Sequence, residues 1–356
     1  MVTAKKSVHF PSFDNEGDVQ RLHPLKDLIR RLSETYGPSG HEDKIRELIR
    51  AEIKPLVDEM RVDALGNLIA RKKGTGPAPR KKVMLAAHMD EIGVIVTHVD
   101  EKGYLRFAPL GAVSPLTLFG HRCIFANGTI GVFGREKKEA KATEVKLDQL
   151  FIDVGATDAI PAVQVGDAAG FWRAFGDLGN RLIGKAMDDR IGCAVLIETL
   201  RELRKSPHDL SFVFTVQEQV GARGAATSAY GVQPDLALAV AVTDTGDTPE
   251  SNTMAVALGK GPAIKVKDSG MLAHPAVKNL LITTAQEGKL PYQLEVFSGH
   301  STDAIAMQVT REGVPTGVIS IPQRYARTSS EMVDFNDVQN AVKLLVSFLG
   351  KPLKLE

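Results

Sequence analysis

Three short stretches of this sequence carry side chains that can activate water or hold a cation. AAHMDEIG contains His88 and Asp90, GKAMDDRIG contains Asp188 and Asp189, and TVQEQVGARGA contains Glu218 followed by the amide Gln219. His88 and Asp90 are two residues apart, so on a strand they share a face. An imidazole can then meet a metal while the carboxylate fixes its tautomer. An aspartate just ahead of an apolar helix caps it, which leaves the second one of GKAMDDRIG for a cation. Glu218 ends the apolar run FVFTVQ, where a carboxylate is a candidate general base. A second acid beside it would serve a metal as well. The second position is an amide. Singly, a turn histidine, a helix cap and a solvated strand end explain these residues; at successive strand ends they point together to a site.

The elements that must position them read as α/β. The segments 21–34 (RLHPLKDLIRRLSE) and KIRELIRAEIKPLV repeat apolar residues at helical spacing. VDALGNLIARKKG and KKVMLAAHMDEIGVIVTHVD read as strands, the second with an apolar run that implies burial on both faces and ends at His88. From about residue 98 to 178, short β-branched segments divided by Gly and Pro predict an inserted small β-barrel or sandwich. Helix and strand then alternate from DDRIGCAVLIETLRELRK to FNDVQNAVKLLVSFLG, a largely parallel, doubly wound pattern whose ligands belong at the carboxyl ends of strands.

Composition narrows the partners. The chain has 356 residues, with 44 Lys plus Arg against 43 Asp plus Glu, so charge supplies no attraction for nucleic acid or an anionic membrane. Small neutral or zwitterionic ligands fit better. Cys123 and Cys193 stand alone among apolar residues and read as buried thiols. The stretch MVTAKKSVHFPSFDNEGD lacks an apolar core of signal-peptide length and no run is long enough to span a membrane, so a cytoplasmic chain is expected.

In order and over nearly the full length, YGPSGHED, VDALGNLIA, AAHMDEIG, GKAMDDRIG, TVQE-VG-RGA, GDTP, TDAIAMQ and GVP-G-ISIP-RY resemble the tetrahedral aminopeptidases of the glutamyl and deblocking type. The resemblance implies a phosphorylase/hydrolase-like α/β/α catalytic domain (1–97 and 179–356) with a small, PDZ-like β-barrel (98–178) inserted for oligomerisation. It also implies a homo-oligomer, up to a hollow dodecamer. The implied activity is that of a hydrolase removing N-terminal residues from short peptides with two zinc or cobalt ions. By the same resemblance His88 is a metal ligand, Asp90 orients it, Asp188 bridges the two ions and Glu218 is the general base.

Three further positions depart from that pattern. Gln219 stands where a Glu ligand is implied, Ala241 where an Asp is, and Arg327, in RYARTSSE, where a His is. Two carboxylates are lost and a guanidinium gained, a change with the sign needed to neutralise a pocket without its cations. The expectation is that Arg327 pairs with Asp188 or Glu218 and closes a metal-free pocket that binds peptides or amino acids, or that serves an assembly subunit. The competing reading keeps at most one ion on His88 and Asp188 with His300 as substitute. Asp244 is three places past Ala241 and faces away, and Asp247 lies in GDTP. His98, His121, His208 and His274 receive no chemical role; His121 and His208 read as surface residues.

Overall fold

The computed structural model describes residues 22–136, 145–155, 162–249, 251 and 253–354. The N-terminal stretch read for a signal peptide lies outside them. The described residues open with helices α1 (Pro24–Glu34) and α2 (Asp43–Ile53), then strands β1 (Glu59–Val62), β2 (Leu68–Lys72) and β3 (Lys82–His88). A proline in the first turn and His23, whose Nδ1 accepts from the Leu25 N–H at 3.2 Å, start α1; Leu25, Leu28, Ile29 and Leu32 form its buried face.

Six strands follow: β4 (Gly93–Val99), β5 (Leu105–Leu110), β6 (Arg122–Phe125), β7 (Ile130–Arg135), β8 (Leu150–Asp153) and β9 (Ala168–Phe171). They close a barrel in the order β4-β5-β8-β7-β6-β9, packed inside with Val94, Leu105, Phe125, Phe133, Ile152 and Phe171. Its strands run from Gly93 to Phe171 rather than from residue 98 to 178. The chain passes from β3 into β4 within one apolar stretch, which periodicity reads as continuous.

The chain then runs through β10 (Gly176–Leu178), β11 (Arg181–Gly184), α3 (Met187–Glu202), β12 (Asp209–Thr215), α4 (Arg223–Val232), β13 (Leu236–Asp244) and β14 (Ala263–Lys267). It ends with α5 (Pro275–Glu287), β15 (Gln293–Val296), α6 (Ala304–Gln308), β16 (Thr316–Arg324), β17 (Glu331–Asp334) and α7 (Phe335–Leu349). The large sheet is ordered β1-β2-β12-β3-β13-β16-β17-β11-β10, with β14 and β15 branching from β16. Only its centre is parallel: β12, β3, β13 and β16 run together, while β2, β14 and β17 join antiparallel. Large residues such as Leu85, Phe212, Leu238 and Ile319 face α1, α2, α3, α5 and α7. Small ones such as Ala86, Ala237 and Ala239 face α4 and α6. Burial on both faces is why these central strands read as unbroken apolar runs.

The barrel is joined to the sheet by a buried charge cluster that escaped the sequence reading. Glu91, between β3 and β4, accepts from Lys185 Nζ at 2.8 and 2.7 Å and from Gly37 N–H at 3.0 Å, with Arg190 at 3.7 Å. Lys185→Met should therefore strand a buried carboxylate and cost about 3–5 kcal/mol. A chemical-denaturation midpoint indistinguishable from that of the parent would contradict this. No described helix is long and apolar enough to cross a membrane.

Candidate functional site

The parallel strands deliver the polar residues to one edge of the sheet, with His88 at the end of β3 in register with Thr215 at the end of β12. His88 is held at both ring nitrogens. Its Nδ1 lies 3.0 Å from the Asp90 carbonyl oxygen and 3.4 Å from the Asp90 carboxylate. Its Nε2 lies 3.1 Å from Asp188 Oδ1 and 3.7 Å from Glu218 Oε2. Because β3 stops at His88, Asp90 sits beyond the strand and the shared-face argument does not apply; its peptide oxygen is the nearer group orienting the ring. The Asp90 carboxylate accepts from Ser39 Oγ at 2.5 Å and from the N–H groups of Glu218 and Gln219 at 2.9 and 3.0 Å, fixing the turn that presents both side chains.

The two aspartates divide the work in the reverse order, the second capping the helix and the first facing the site. Both have non-helical backbone angles at the start of α3. Asp189 takes the capping task, accepting from Gly192 N–H at 3.1 Å and from His88 N–H at 3.2 Å. The Asp188 carboxylate faces the site. Its Oδ1 meets His88, and its Oδ2 accepts from Gln219 Nε2 at 3.0 Å.

Arg327 is placed differently from the expectation. It lines the same cavity, about 180 Å³, as His88, Asp188, Glu218, Ala241 and His300, yet its guanidinium has no hydrogen bond or ion pair among the described residues. The backbone explains this. Arg327 is held at φ 62° with its N–H donating to Glu331 Oε1 at 2.9 Å, and Glu331 Oε2 accepts from Asp188 N–H at 3.1 Å. The Gln219 amide, anchored through Asp90, reaches Asp188 instead. Glu331 is buried and was missed by the sequence reading; its only signal was an acid four residues past Arg327.

Other candidates separate clearly. His300 lines the cavity, its ring edge-on to Phe297 at 4.8 Å between centroids. Asp244 borders a different cavity, and Asp247 pairs with Arg324 at 2.9 and 2.7 Å. His98 and His274 are exposed. His208 is a correction: it is buried, its Nε2 lies 2.9 Å from the Lys351 carbonyl oxygen, and it ties down the chain's last turn. His121 is half-buried and meets Ser329 Oγ at 2.9 Å. It lines a larger cavity, about 790 Å³, with Arg122, Trp172 and Arg173, which contains none of the strand-end residues. Cys123 and Cys193 are buried and free.

The M42 glutamyl aminopeptidase model matches residues 66–344, more than half of the chain. The chain belongs to that family. A putative aminopeptidase of Acetivibrio thermocellus is 48% identical over 326 residues, covering 90% of this chain and 97% of that one. The aminopeptidase APDkam598 of Desulfurococcus kamchatkensis superposes with TM-score 0.87 at 40% identity, covering 92% and 95% of the two chains. The TET1 peptidase of Pyrococcus horikoshii, described as assembling into a tetrahedron or a large octahedral shell, gives TM-score 0.83 at 30% identity, covering 92% and 100%.

The donor set of this M42 protein does not fit a pair of metal ions. Both oxygens of Asp188 are taken by nitrogen donors, Ala241 offers a methyl group, and Arg327 brings a charge of the ions' own sign. Among the described residues no three His, Cys, Asp or Glu side chains are grouped to hold an ion.

The electrostatics follow from burial and contact. Burial alone would lower the His88 pKa, but the Glu218 charge and the bonds to Asp188 and Asp90 raise it well above the usual histidine value. Burial, the largest single effect, would raise Asp188, yet the bond and charge of His88, the His300 charge and the bond from Gln219 together outweigh it and hold the carboxyl at about 2. Burial pushes Glu218 up to about 8 and, with the Asp188 charge, Glu331 also to about 8. At neutral pH Glu218 thus retains its proton and donates more readily than it accepts.

These shifts set the pH dependence of stability. The His88 contribution is full below its ordinary value of 6.5 and is lost as pH rises through its raised folded value. Glu218 and Glu331 act in the same sense, full below 4.5 and lost on the way to about 8. Asp188 acts oppositely, but only below its ordinary 3.8. The thermal midpoint should therefore fall between about pH 5 and pH 8. A midpoint that rises across this range in differential scanning calorimetry would contradict the assignment.

Proposed function

We propose that this M42 member recognises a free amino acid or the N-terminal end of a short peptide in a metal-free pocket and does not carry out two-ion hydrolysis. The observation that carries this reading is the pair of bonds on Asp188, from His88 Nε2 at 3.1 Å and Gln219 Nε2 at 3.0 Å. The residue that the resemblance makes the bridge between ions is satisfied by side chains of its own protein. The lost acids at 219 and 241 keep the pocket from accumulating uncompensated negative charge. His88, Asp90, Asp188 and Glu218 remain as groups that bind and orient.

A second reading rests on His300. It lines the same cavity as His88 and Asp188. A single zinc or cobalt ion on His88, Asp188 and His300 would support a reduced aminopeptidase. Metal content per chain, measured after zinc or cobalt loading and removal of loose ions, separates these. No ion with no turnover of aminoacyl-p-nitroanilides agrees with the binding pocket. One ion with turnover supports the His300 site, and two ions overturn the account of Gln219, Ala241 and Arg327.

The tetrahedral assembly described for the Pyrococcus horikoshii relative supports a homo-oligomer here, up to a dodecamer, with the barrel at subunit contacts. Light scattering of the purified chain tests it, and a monomer at micromolar concentration would exclude it. The two free buried thiols fit the cytoplasm, which cell fractionation can check.

A further inference from the structure

Two ionisable side chains, Glu218 and Arg327, face the strand-end cavity with no hydrogen-bond partner among the described residues. The Glu218 carboxyl accepts no hydrogen bond among the described residues; its nearest opposite charge is His88 Nε2 at 3.7 Å, and its side chain is 15% exposed. The Arg327 guanidinium likewise has no partner, and the two make no ion pair with each other although both line the same 180 Å³ space. Asp188 is committed to His88 and Gln219. A carboxyl and a guanidinium that line one small cavity without contacting each other match a molecule that carries both an ammonium and a carboxylate.

We propose that the ligand of this pocket is a zwitterion, a free α-amino acid, with its carboxylate on Arg327 and its ammonium at Glu218. This rests on the metal-free reading above and narrows it, because the end of a peptide supplies the ammonium but leaves the guanidinium unmatched. Arg327 forks onto a carboxylate in a planar pair that a lysine would not reproduce. His300 and Thr302, which line the same cavity, add ring N–H and hydroxyl donors. Ala112, Ala241 and Val242 supply the apolar wall for a side chain. The methyl group at 241, where the resemblance implies an acid, thus becomes part of the binding surface.

Calorimetric titration of the full chain with common L-amino acids taken singly, and with the amide and N-acetyl derivative of each, tests this. Blocking either end of the binding amino acid should weaken affinity about 10- to 100-fold. Arg327→Gln should abolish the preference for the acid over the amide while leaving amide binding in place. Arg327→Lys should recover part of that preference, and Glu218→Gln should abolish the preference for the free amine. Circular dichroism melts confirm that each variant is folded. The proposal is overturned if the amide binds as tightly as the acid, if Arg327→Gln keeps the preference for the acid, or if no free amino acid binds the folded, ion-free chain. Bound ions with turnover would instead overturn the metal-free reading itself, so the two failures are told apart.

Discussion

Replacing Gln219 by Glu, Ala241 by Asp and Arg327 by His together should yield a chain that holds two zinc or cobalt ions and hydrolyses aminoacyl-p-nitroanilides. The expected gain in kcat/KM over the parent chain is on the order of 10^4-fold, equivalent to the several kcal/mol of charge stabilisation that bound metals supply. The three changes act as a unit. Arg327→His alone leaves the Gln219 amide on Asp188 Oδ2 and a methyl group at 241, so no single substitution should raise turnover measurably. Metal analysis and initial rates on the three single variants and the triple variant decide the matter. Full recovery in Arg327→His would show that Gln219 and Ala241 are not the obstacle.

Gln219→Glu by itself should be the most destabilising conservative change in the site. In the parent the amide donates to Asp188 Oδ2 at 3.0 Å, and Asp188 is held ionised with a pKa of about 2. A glutamate there exchanges a donor for a second acid in a pocket where Asp188 is only 21% exposed and already shares its cation, His88, with Asp90 and Glu218. Like charges at that range in a partly buried site should cost about 2–4 kcal/mol at pH 8. The loss should shrink as the pH falls to about 5, where the pair can share a proton. Denaturant midpoints of parent and variant at the two pH values measure this; equal midpoints at pH 8 would mean that the bond from Gln219 carries no weight.

The larger features of the fold were legible because they rest on local chemistry. Amphipathic spacing marked α1 and α2, the unbroken apolar runs marked the doubly buried β3 and β12, and the short Gly-divided segments marked the barrel. The boundary of the barrel was not legible, since β3 passes into β4 with no change in hydrophobicity at the turn where Glu91 is buried. That turn is defined by Lys185 and Arg190, nearly a hundred residues away, and a charge whose partner is so distant looks like a solvated surface residue. His208 was misjudged for the same reason, because its hydrogen bond goes to Lys351.

In the site, the sequence by itself determined which residue types stand at the strand ends: His88, Asp188 and Glu218 present, with an amide, a methyl group and a guanidinium where ligands are implied. Side-chain type sets the charge inventory, and that inventory is readable without coordinates. Which group neutralises which was decided only by the tertiary structure. Arg327 had the right charge to pair with Asp188, but with its backbone left-handed and bonded to Glu331 its guanidinium makes no contact with that carboxylate, while Asp90 anchors the turn that delivers the Gln219 amide. Hydrogen bonds have a reach of about 3 Å, far shorter than the uncertainty in placing any side chain from its position along the chain, so their partners emerge only when the strands are packed.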